Sequence, residues 1–129
     1  MMMLIAGLAL ALQTGPSLQQ GYEGVARDSF AAWSFKSGEI AVSGPVRTTS
    51  VQTLYNTPTA FNGNPTPVAW SLHQVAFNCQ AQTAAFISGA NYTQSGVLIS
   101  SGSPTPSLPW TDGTTGFQQV AATVCAMNP

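Results

Sequence analysis

The residue types best suited to acid–base, nucleophilic or metal chemistry are few in this chain. They are one histidine, His73, two cysteines, Cys79 and Cys125, and four acidic residues, Glu23, Asp28, Glu39 and Asp112. His73 is the one side chain whose ordinary titration falls near neutral pH, and no acidic residue lies near it in sequence. A Ser-His-Asp arrangement would have to recruit Asp28 or Asp112, and no serine stands in the Gly-x-Ser-x-Gly turn that presents a nucleophile. His73 and Cys79 share one predicted strand, a geometry that disfavours thiol attack chemistry. Neither cysteine belongs to a Cys-x-x-Cys pair, so a zinc site is not expected. Four acids give two-carboxylate hydrolysis and metal cages little to draw on. No catalytic, cofactor-binding or metal-ligating residue is therefore assigned, and no cofactor is expected.

Three tryptophans offer stacking surfaces. Trp33 and Trp70 fall within alternating apolar segments and are expected as core anchors. Trp110 follows a proline-rich stretch and is expected to be the exposed aromatic. Asn91-Tyr92-Thr93 is a glycosylation sequon that also fits an ordinary hairpin turn.

The composition narrows the function classes. Of 129 residues, 44% are hydrophobic and only 5% are charged, against about a quarter charged in an average domain. Length and hydropathy fit one domain with a core of its own. Three Lys and Arg residues cannot supply the counterion release of ordinary nucleic-acid binding or a polybasic membrane contact. Six of the seven charges lie between Glu23 and Arg47, and Asp112 is the one charge beyond Thr48. A net charge of −1 leaves little repulsion between copies. Self-association and a monomer solvated by hydroxyls and amides both stay open.

Residues 1–12 (MMMLIAGLALAL) form an uncharged apolar run. It is shorter than the ~20 residues a membrane-spanning helix needs, and it resembles a secretory core with Ala9-Leu10-Ala11 as a small-x-small cleavage pattern. Residues 1–11 are expected to be a signal peptide, with the mature chain beginning between Leu12 and Pro16 and residues 12–129 forming one domain. No Lys or Arg precedes the run, which leaves a buried N-terminal helix or strand as the alternative. No integral membrane segment is expected in the mature chain. In an exported chain an even cysteine count favours a disulfide, here Cys79 with Cys125.

The elements that must position these residues follow from periodicity. Residues 31–36 alternate, with Ala31, Trp33 and Phe35 on one face, and Ser37-Gly38 predicts a hairpin turn into residues 39–42. Residues 46–55 form a β-branched strand, and residues 56–67, with three prolines, form a long exposed loop. Residues 68–79 form the next strand, where Trp70 and Leu72 differ in parity from Val75, Phe77 and Cys79. That switch predicts a bulge or bend at His73-Gln74. Residues 83–88 form a strand, Gly89-Ala90-Asn91 a turn, and Tyr92 with residues 97–100 the return. Residues 101–109 contain three prolines and are expected to lie over the surface as an unpaired extended segment. Phe117, Val120, Ala121, Val124 and Cys125 recur at helical spacing, with Thr114 or Thr115 as the cap and Gln118, Gln119 and Thr123 facing water. The fold class is α+β: an antiparallel sheet of five or six strands, with one C-terminal helix packed on it and held by the Cys79–Cys125 disulfide.

Val75-Ala76-Phe77-Asn78-Cys79, Gly89 and Tyr92, then Pro109-Trp110-Thr111-Asp112-Gly113-Thr114 before a helix ending at Cys125, together resemble the surface-adhesin protein E family of small exported bacterial proteins. The resemblance spans mainly residues 68–126. It implies a curved antiparallel sheet with a disulfide-tied C-terminal helix, a periplasmic, cell-surface or extracellular location, and a protein ligand or a second copy as partner, since the family's named member binds host proteins and forms dimers. That member is lipid-anchored, whereas no Cys follows the apolar run here; basic residues are also missing around the central hairpin. The reading is an exported, non-catalytic binding module. The alternatives are a structural subunit of a surface assembly, or a small periplasmic enzyme or inhibitor using His73.

Overall fold

The computed structural model describes residues 18–60, 65–102 and 104–127; the expected signal peptide, residues 1–11, lies outside them. The described strands are β1 (Tyr22–Arg27), β2 (Ala31–Lys36), β3 (Ala41–Ser43), β4 (Val46–Thr59), β5 (Val68–Asn78), β6 (Thr83–Tyr92), β7 (Leu98–Gly102) and β8 (Leu108–Pro109). A single 3-10 turn, Trp110–Asp112, leads to helix α1 (Thr115–Ala126). The strands make one antiparallel sheet in the order β1-β2-β4-β5-β6-β7, with β3 on β4 and β8 on β6.

Alternation decides which face is covered. Ala31, Trp33 and Phe35 of β2 lie opposite Tyr55, Thr53 and Val51 of β4, and Thr49, Val51 and Thr53 lie opposite Val75, His73 and Ser71 of β5. Val75 and Phe77 in turn face Phe86 and Ala84 of β6. Because successive side chains point to opposite faces, this register gathers one apolar face. Phe117, Val120, Ala121 and Val124 of α1 close over it and are buried. The helical phase expected from the sequence is the one observed.

A ladder of polar side chains extends the same face across four strands. Tyr55 Oη and Ser71 Oγ lie 3.2 Å apart, Ser71 Oγ donates to Asn91 Oδ1 at 2.6 Å, and Asn91 Nδ2 donates to Ser100 Oγ at 3.0 Å. Buried polar groups are tolerated in this way because each finds a partner.

The helix is fixed at its C-terminal end by a covalent and a charged contact. Cys79, just past β5, is bonded to Cys125, with Cα atoms 5.6 Å apart and a sequence separation of 46. Chain-entropy reasoning gives that closure roughly 4 kcal/mol. Arg47 Nη1 donates to the carbonyls of Val124, at 3.0 Å, and Met127. A cation there also meets the negative end of the helix dipole.

Several local expectations are corrected. β2 does not return along residues 39–42: after the turn at Ser37-Gly38, β3 hairpins with β4 through Gly44-Pro45. β4 continues to Thr59, so the loop begins later than its prolines suggest. β5 keeps one parity throughout, with Trp70 and Leu72 on the opposite face. The extra residue is Ile87 of β6, skipped where the pairing steps from Gln74↔Ser88 to Val75↔Phe86. Gly89-Ala90-Asn91 is strand rather than turn, and the reversal occurs over residues 93–97. β8 pairs Pro109 and Leu108 with Thr83 and Ala84, so the proline-rich segment does join the sheet. β1, with Gly24 and a register shift at its centre, was not predicted.

Gln118 is also not a free surface residue, since its Nε2 donates to the carbonyls of Thr111 and Gly113. Gln119 is exposed and is the proper solvent-facing control. Phe117→Ala is expected to cost ~3–5 kcal/mol in urea unfolding, from lost transfer energy and a residual cavity. Gln119→Ala should stay within about 0.5 kcal/mol. Equal costs would contradict the packing of α1.

Candidate functional site

Asp28 ends β1 with a carboxylate that serves two parts of the chain. Oδ1 accepts the backbone N–H groups of Phe30 (2.8 Å) and Ala31 (2.9 Å). This is the local turn chemistry that short acidic side chains provide. Oδ2 accepts Trp33 Nε1–H at 3.1 Å and, from 88 positions away, the N–H of Gly116 at 2.8 Å. Gly116 lies in the first turn of α1, where backbone N–H groups have no intrahelical partner. Thr114 is the N-cap residue but does not cap the helix with its own side chain. Asp28 thus supplies the cap, correcting the expectation that a threonine would. Desolvation pushes its carboxyl pKa upward, but hydrogen bonds from Thr114, Ala31, Gly116 and Phe30 outweigh that and hold it well below the usual carboxylate range.

Glycine at position 116 is a condition of this junction. A Cβ there would stand 2.1 Å from Trp33 Cδ1 and 2.7 Å from Asp28 Oδ2. The indole lies against the helix backbone itself.

Beside the junction the core is left open. A hollow of about 300 Å³ is walled by Trp33, Phe86, Trp110 and Phe117 and bordered by Leu108 and Asp112 among others. Its rings are set at angles: Trp33 and Phe117 at 62°, Phe86 and Phe117 at 33°. One side is the strap of residues 104–109. Thr105, between two prolines that lack N–H groups, donates its own N–H to Phe86 O at 2.8 Å, and its hydroxyl accepts Phe86 N–H at 3.0 Å. One residue thereby fixes the strap to the wall. Trp110 N–H donates to Gln82 O at 3.1 Å, and the indole is buried, 8% exposed. The expected exposed aromatic is therefore a wall of the hollow. Trp70, expected in the core, is half-buried on the opposite face and stacked on Tyr92, with centroids 4.1 Å apart; Trp33 is in the core as expected.

His73 occupies a separate place, edge-on to Phe86 with centroids 4.8 Å apart. Gly89 lies opposite, where a Cβ would meet the imidazole at 2.2 Å. The Gly89 that suggested a turn instead makes room for this ring. Burial pushes the His73 pKa down, and among the described residues no side chain hydrogen-bonds to it. No group of three or more His, Cys, Asp or Glu residues gathers as a metal site among the described residues, and none of their helices is long and apolar enough to cross a membrane.

An open antiparallel sheet, closed on one face by a C-terminal helix that a disulfide ties back, defines the structural class. Solved structures that share this fold include those of Haemophilus influenzae protein E. Crystal form II of that protein matches with TM-score 0.59 and 14% identity, covering 88% of this chain and 93% of that one. Another protein E structure matches at 0.57 and 14% identity, covering 87% and 89%, and protein E from non-typeable Haemophilus influenzae at 0.53 and 13%, covering 88% and 80%. No protein-family model and no curated protein matches the chain. The shared fold thus extends well beyond the residues 68–126 on which the resemblance was read.

The Asp28 junction generates a pH prediction. A carboxyl more acidic in the folded than in the unfolded chain, where its value is about 3.9, contributes stability that is full above that value and is lost as pH falls towards the folded one. Asp28→Asn should lower stability by about 1–2 kcal/mol at pH 7. It should also flatten the loss seen in the native chain between about pH 5 and pH 2. Urea midpoints across that range test both, and parallel curves would contradict the role given to Asp28.

Proposed function

We propose that the chain is an exported, non-catalytic binding module, and that the aromatic hollow beside the α1 N-terminus takes one side chain of a protein ligand. The hollow carries this reading. Four aromatic residues converge on a cavity that the core does not fill, while the sparse hydrogen-bonding side chains around it fix its walls. Pockets of this kind, mostly apolar with a few placed polar groups, are where ligands bind. The apolar run at residues 1–12 and the Cys79–Cys125 disulfide support export. The fold likeness to protein E is consistent with a binding role but shows the fold alone. A catalytic role for His73 has no support from its surroundings, an aromatic edge and a glycine.

The test is a titration of the chain with N-acetyl-norleucine N′-methylamide, followed by the indole N–H signals of all three tryptophans in NMR spectra. Trp33 and Trp110 should shift in a saturable manner while Trp70, on the opposite face, stays fixed. No shift, or equal shifts at all three, would contradict the assignment of the hollow.

A further inference from the structure

Resting on that reading, we infer that the hollow selects a lysine side chain, its aromatic walls taking the alkyl stem and Asp112 the ammonium group. The argument starts from the distribution of charge. Asp112 is the one charged residue after Arg47, and it borders the hollow. The other charges near the core have assigned work. Asp28 holds the α1 N-terminus, and Arg47 holds its C-terminus. Arg27 Nη1 donates to Asn56 Oδ1, and Lys36 pairs with Glu39 at 3.1 Å. Asp112 has no ion pair or side-chain hydrogen bond among the described residues. No basic residue lines the hollow, so nothing in the wall neutralises the carboxylate.

The backbone that carries Asp112 is nevertheless fixed. Gln118 Nε2 bonds the carbonyls on either side of it, Thr111 at 3.3 Å and Gly113 at 3.0 Å, and Gly113 N–H donates to Trp110 O at 3.0 Å. The backbone that carries Asp112 beside the cavity is thus tied to the first turn of α1.

Size and shape choose among cations. About 300 Å³ stands at the lower end of ligand pockets and fits one side chain. A planar guanidinium is best held between parallel plates, whereas these ring pairs stand at 62° and 33°. Such a box suits a compact ammonium on a flexible stem, which attracts ring faces electrostatically and packs its methylenes against them.

The experiment compares three probes on the full chain by the same tryptophan indole signals: N-acetyl-lysine N′-methylamide, its neutral analogue with a 6-hydroxynorleucine side chain, and the arginine derivative. Lysine should bind about tenfold more tightly than the hydroxyl analogue, the scale of a cation–π contact plus one exposed ion pair. Asp112→Asn should remove the ion-pair share of that preference, weakening lysine about two- to fivefold without moving the analogue, and Asp112→Glu should keep the preference. Equal binding of lysine and analogue overturns the charge selection while leaving the hollow as a binding site. Tighter binding of arginine overturns the choice of ammonium. Absence of binding by every probe overturns the reading of the hollow itself.

Discussion

One carboxylate holds together parts of the chain that the sheet alone would leave apart. Asp28 bonds the amides that turn β1 into β2, the indole of Trp33 and the first turn of α1. The Ala31 and Gly116 amides and the Trp33 indole, all partly buried, would otherwise be unpaired donors near the core, and unmade hydrogen bonds there are costly. The sheet needs α1 to cover its apolar face, and α1 needs an acceptor for its leading amides. Asp28 connects those needs, and Gly116 allows the connection by letting Trp33 lie against the helix.

A chain with so few charges places them where backbone dipoles reward them. An acid stands at the positive end of α1 and an arginine at its negative end. The disulfide adds a covalent stop beside the arginine. With both ends fixed, the helix cannot slide to fill the space between its first turn and the strap, where the hollow remains. The strap has a fixed position for a comparable reason. Pro104 and Pro106 have no donors, so Thr105 alone supplies both contacts to Phe86.

What could be read from the sequence was whatever depends on period and local chemistry. The strand faces of Trp33 and Phe35, the phase of α1 from Phe117 to Val124, and the pairing of the two cysteines all follow from spacing and number. Long-range bonds leave no such trace. Nothing near Gly116 announces that its acceptor lies 88 residues upstream, and Thr114 carried the ordinary signature of a cap. Trp110 was misplaced because prolines signal exposure locally, whereas its N–H is taken by Gln82 and its ring by Phe77 and the hollow. Gly89 and the position of the bulge were misread together. A glycine that makes room for His73 resembles a turn, and a bulge on β6 cannot be located from the alternation of β5. The hollow was invisible for the same reason, since its walls come from β2, β6, the strap and α1.

The most direct test of the central role given to Asp28 is an NMR pH titration of the native chain. It follows the Asp28 carboxyl carbon together with the Gly116, Phe30 and Ala31 amides and the Trp33 indole N–H. The account requires one shared midpoint, displaced well below the usual carboxylate range, at which all four donors shift as their acceptor is protonated. A Gly116 amide or Trp33 indole that stays fixed while Asp28 titrates at an ordinary value would contradict it.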